Sequence, residues 1–67
     1  MMSEFTGYLF SEINGRHTDG VNLNSPLACY DFVIKNLAQY PEIRVCDSDD
    51  FLIMHALEGD IVFPVLK

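Results

Sequence analysis

Residues 42–66 read EIRVCDSDDFLIMHALEGDIVFPVL, and this stretch decides the fold. Glu42–Cys46 reads as a first short strand, and Asp47-Ser48-Asp49-Asp50 after it is its turn. Phe51–Leu57 is a second run, Glu58-Gly59-Asp60 a tight turn, and Ile61–Leu66 a third run. Strands joined by loops this short pair as antiparallel neighbours, so the spacing predicts a three-stranded meander. Pro64 cannot donate to a ladder, which places the last strand at a sheet edge or ends its pairing there.

Upstream, Ser25-Pro26 opens a helix. A serine hydroxyl accepts from the first free N–H groups, and proline fits the first helical position. The helix is expected over about 25–40, because Pro41 biases Tyr40 away from the helical region. At 100° per residue, Leu27, Tyr30, Val33, Ile34, Leu37 and Ala38 fall on one broad arc, with Cys29 and Tyr40 at its edge. Asp31, Lys35, Asn36 and Gln39 face the other way, with Asp31 and Lys35 in the favourable i, i+4 order. Phe32 breaks the pattern by falling amid the polar face.

Phe5–Ile13 reads as a strand, with Phe5, Leu9 and Ile13 on one face and Tyr8 and Phe10 on the other. It ends at Asn14-Gly15, a strong hairpin signal. Arg16–Leu23 is expected to return as a short, irregular strand interrupted at Asp19-Gly20. The predicted fold is therefore α+β: one helix on an antiparallel sheet of four strands, five if the return strand pairs, in the order β(β)αβββ. The 67 residues make a single small domain.

Apolar residues make up 49% and charged ones 21%, a balance that excludes a disordered tail. No apolar run is long enough for a membrane helix. Met1-Met2-Ser3-Glu4 lacks the basic and apolar regions of a signal peptide, so a cytoplasmic location is expected. Cys29 and Cys46 are expected as free thiols in that compartment. Ten acidic residues face Arg16, Lys35, Arg44 and Lys67, for a net charge of −6. No basic stripe exists to follow phosphates, which argues against direct nucleic-acid binding, and an anionic membrane would repel the chain.

Motifs for chemistry are sparse. Asp47-Ser48-Asp49 with Glu58 superficially matches a calcium loop, but Phe51 and Leu52 stand where an oxygen ligand and a turning glycine are needed. His17 and His55 have no partner ligands at zinc-site spacing. The four glycines stand singly, so no phosphate loop is present. No catalytic residue, cofactor or metal is expected. A minor enzyme or ligand binder would need an interface site around His17, Asp19 or His55, because so small a fold cannot enclose a large pocket.

The outward-pointing feature is apolar doubling. Phe51, Ile53 and His55 face one way and Leu52 and Met54 the other, while Ile61, Phe63 and Val65 oppose Val62 and Leu66. A sheet with one wet face alternates apolar and polar residues. One helix covers one side, so the expectation is a small acidic, non-catalytic protein-interaction module. Its expected partner is a second copy or another protein, with a homodimer favoured, and the candidate interface residues are Tyr8, Phe10, Phe32, Leu52, Met54 and Val62. The alternative is an acidic inhibitor or decoy of a nucleic-acid enzyme, of the kind mobile elements use. Its contacts would be Asp47, Asp49 and Asp50 at one end of the second meander strand, and Glu58 and Asp60 at the other.

Overall fold

A computed structural model describes residues 4–64. The chain runs β1 (Phe5–Phe10), β2 (Val21–Leu23), α1 (Pro26–Asn36), β3 (Glu42–Asp47), β4 (Leu52–Leu57) and β5 (Asp60–Phe63). The strands form one antiparallel sheet in the order β2-β1-β3-β4-β5, and α1 packs on the β1 and β3 part of it. This is the expected α+β architecture, with the return strand present as the fifth strand. Val65 and Leu66, predicted to continue the last strand, lie outside the described residues.

The local signals act as their chemistry requires. The Ser25 hydroxyl accepts from the Ala28 N–H at 3.1 Å, and Pro26 opens α1. The helix stops at Asn36, four residues short of the expected Tyr40. The N–H groups of Gln39 and Tyr40 both close on the Asn36 carbonyl, so the chain unwinds through turns ahead of Pro41. Asp47 Oδ1 accepts from the N–H groups of Asp49 (2.9 Å) and Phe51 (3.0 Å), which fixes the β3–β4 turn. Glu58 and Gly59 both have positive φ, as a two-residue hairpin turn demands, and Leu57 pairs with Asp60 across them.

β1 ends three residues before Ile13. Asn14 adopts a positive φ within a Glu12–Gly15 turn, as the Asn14-Gly15 signal implies. The returning arm pairs with β1 through the Phe10–His17 bridge, where the Thr18 N–H also donates to the Leu9 carbonyl at 2.8 Å and the Leu9 N–H to the Thr18 hydroxyl at 3.3 Å, before β2 resumes at Val21. Ser11 to Gly20 is consequently an exposed loop, and Ile13 lies on the surface.

Two departures reposition side chains. The first is a bulge in β3–β4. Val45 pairs with Met54 and Cys46 with Leu52, so Ile53 has no partner of its own. Strict alternation, the basis for placing Met54 opposite Ile53, fails there. Both Ile53 and Met54 pack against the helix-side core, and His55 then lies on the other face, opposite the expected grouping.

The second is the rotation of α1. Its buried positions are Cys29 and Val33, with Ala28, Phe32 and Leu37 packed beside them. Phe32, expected amid the polar face, turns inward because Gly7 has no side chain. Its ring lies where a Cβ on residue 7 would overlap Cε2, Cζ and Cδ2. Seating that ring rotates Leu27, Tyr30 and Ile34, half of the expected core arc, out to solvent.

Candidate interaction surface

The face of the sheet away from α1 is organised by one carboxylate. Register puts Glu42, Arg44 and Cys46 of β3 on that face with Thr6, Tyr8 and Phe10 of β1 and His55 of β4. Glu42 is 1% exposed, yet every bond it needs is present. Oε1 accepts from the Asn14 N–H at 2.7 Å, and Oε2 accepts from Arg44 Nε at 2.7 Å and His55 Nε2 at 2.6 Å. The last contact requires a proton on Nε2. Burial pushes the Glu42 carboxyl up more than any other single influence. The bonds from Asn14, His55 and Arg44, with the Arg44 charge, together outweigh it and hold the carboxyl below its usual range.

Arg44 also donates from Nη2 to Asn14 Oδ1 at 3.0 Å and lies over the Phe10 ring, 4.8 Å from its centroid. His17 packs edge-on to Tyr8 and tilted against Phe10, and its Nδ1 donates to the Thr18 carbonyl at 2.7 Å. The exposed loop is thus moored over the sheet, and Phe10 is buried beneath it. A shallow cleft of about 350 Å3 remains, lined by Tyr8, Phe10, His17, Arg44, Cys46 and Asp50 among others. Its thiol is no ready nucleophile. Burial first, then the Asp50 and Asp47 carboxylates, push Cys46 up against the opposing Arg44 charge. Burial alone raises Cys29, inside the helix–sheet core, and the two thiols are not bonded to each other. Among the described residues, no three His, Cys, Asp or Glu side chains converge as a metal site.

The six candidate interface residues do not form one patch. Tyr8, Phe10 and Leu52 lie on the outer face, Phe32 and Met54 pack into the helix side, and Val62 is exposed beside the β4–β5 irregularity. The acidic residues divide as their positions imply. Asp49 and Asp50 are exposed at one end of β4, beside Asp47, whose carboxylate is used in the turn. Glu58 and Asp60 are exposed at the other end, roughly 20 Å away at the rise of a strand.

Exposed apolar side chains occur at Phe51, Leu52, Val62 and Phe63 on and beside β4 and β5, and also form a stripe on α1. Leu27 is 69% exposed, and Tyr30 and Ile34 are each 45% exposed. Spacings of three and four residues align them along the solvent side of the helix. Between α1 and β4 runs a groove of about 290 Å3 lined by Pro26, Cys29, Tyr30, Ile53, Met54 and Pro64, with no charged side chain. A second groove, of about 330 Å3, is lined by Ile34, Leu37, Ala38 and Gly59. Leu27, Tyr30 and Ile34 were expected in the core, so sequence reasoning missed this surface. Phe32 out of phase was the one signal that the helix faces a different way.

Comparison of the chain with protein-family models, with curated proteins and with solved structures gives no match. No helix among the described residues is long and apolar enough to cross a membrane.

Proposed function

We propose that this chain is a small acidic, non-catalytic interaction module that associates through the solvent side of α1, its partner being a second copy of itself. The observation that carries this reading is the outward apolar stripe Leu27, Tyr30, Ile34, flanked by grooves with no charged lining. Contiguous apolar patches of more than a few hundred Å2 are uncommon on monomers and mark contact sites. A second copy suits the charge distribution. Each copy carries −6, but among the described residues none of the carboxylates lines these two grooves, so the surfaces that two copies would join there are apolar.

Sedimentation equilibrium tests the reading. The expected result is a concentration-dependent species of twice the 7.6 kDa protomer mass. Leu27→Asp should abolish it while leaving the far-ultraviolet spectrum and unfolding midpoint of the protomer intact, since Leu27 contributes little to the core. A wild-type chain that stays monomeric at about 1 mM, where a contact with a Kd of about 1 mM is half-populated, overturns the reading.

A further inference from the structure

Two copies joined through α1 can lie parallel or antiparallel, and the charges beside the stripe distinguish these arrangements. Measured round the helix from Leu27, Ile34 and Tyr30 lie roughly 20° and 60° in one direction, and Asp31 and Lys35 roughly 40° and 80° in the other, with Asp31 pointing directly away from the buried Cys29 and Val33. One flank of the stripe is therefore charged and the other apolar. The charged flank holds one acid and one base, both exposed, and neither enters an ion pair among the described residues.

We propose that two copies pack their α1 helices antiparallel about a two-fold axis level with Val33, with Asp31 of each copy against Lys35 of the other. The inference rests on the proposed self-association through this stripe. A two-fold axis running across the helices, in the plane between them, reverses direction and sets like flank against like flank. Centred at Val33, it brings residue 31 level with residue 35 of the second copy, each about 3 Å along the helix from the axis. Both acid–base contacts form at once.

The apolar flank supports the same register. Tyr30 lies three residues before the axis, so its ring comes level with Asn36 of the second copy. There the groove lined by Ile34, Leu37, Ala38 and Gly59 stands open to receive it. Ile34, next to the axis, meets its own equivalent. A parallel pair does neither of these things, because it turns the charged flank of one helix against the apolar flank of the other.

Charge reversal separates the cases. Dissociation constants are measured by sedimentation equilibrium for wild type, Asp31→Lys, Lys35→Asp and the double exchange Asp31→Lys with Lys35→Asp. Each single reversal creates two like-charge contacts and should weaken the dimer about tenfold, given the modest worth of exposed pairs. The double exchange restores both contacts and should return affinity to within about threefold of wild type, a coupling that independent sites do not show. Circular dichroism of each variant checks that α1 is intact. A wild-type dimer whose affinity is indifferent to the single reversals, or is not recovered by the double exchange, overturns the antiparallel register and leaves the proposed function standing. A monomeric wild type overturns both.

Discussion

Replacing Glu42 with Gln probes how the outer face is held. The substitution keeps the side-chain volume and one acceptor oxygen. With that oxygen in the place of Oε1, the bond from the Asn14 N–H survives. The new amide NH2 then faces two donors, Arg44 Nε and His55 Nε2, and both charge-assisted bonds are lost. Such bonds are worth about 1.5–3 kcal/mol each. The partners recover part of this from water, because the side chains of Arg44 and His55 are 36% and 20% exposed. The net loss is about 2 kcal/mol at pH 7, discounted for that solvation. For a domain of this size it corresponds to a fall of about 10 °C in Tm. The dependence on pH has a definite sign. The folded carboxyl titrates below its unfolded value of about 4.3, so the stability it confers is fully present above that value and is lost as pH falls through the folded pKa. Urea unfolding of both proteins, at one fixed protein concentration, should show a gap that is widest near neutral pH and closes toward pH 3. Equal midpoints at pH 7, or a gap that persists undiminished at pH 3, refute the assignment of Glu42 as the charged centre of this network.

Three further expectations concern the packing. Gly7→Ala should destabilise the fold by about 1–3 kcal/mol through overlap with the Phe32 ring, and Phe32→Leu in the same chain should recover part of that loss; thermal unfolding of the two single variants and the double variant measures the coupling. Asp47→Ala removes the acceptor for two turn N–H groups and should cost about 1–2 kcal/mol by chemical unfolding, with Asp47→Asn retaining part of it. A thiol reagent should label Cys46, half-buried on the outer face, before Cys29, which should react only at the rate of global unfolding; simultaneous labelling of both in native buffer would contradict the burial of Cys29.

What could be read in advance follows the range of each interaction. The Asp47 turn, the Glu58-Gly59 hairpin and the Ser25-Pro26 helix start are decided within four or five residues, and each forms as its local chemistry dictates. The direction in which α1 faces is decided at a distance. Gly7 lies on β1, well upstream of the helix, and only the missing side chain there makes room for Phe32. The periodicity of α1 taken by itself shows Phe32 out of phase but not the vacancy at Gly7 that receives it. The bulge at Val45 and Cys46 is likewise a property of two strands in register, invisible in either alone. The Glu42 network draws on the loop, β3 and β4 together. Its one sequence trace was Glu42-x-Arg44, two opposite charges on the same side of a strand otherwise read for its apolar residues.

The sheet order carries a consequence for how the chain reaches this structure. β3, β4 and β5 are joined by short turns and pair with their immediate successors, so this half closes small loops at little entropic expense. β1 pairs with β3 only after a much longer excursion that includes β2 and the whole of α1. The expected sequence of events is early zipping of the meander, followed by docking of the amino-terminal half onto β3. Substitutions that weaken the β3–β4–β5 turns should then slow folding, whereas those at the Phe32–Gly7 contact should chiefly hasten unfolding.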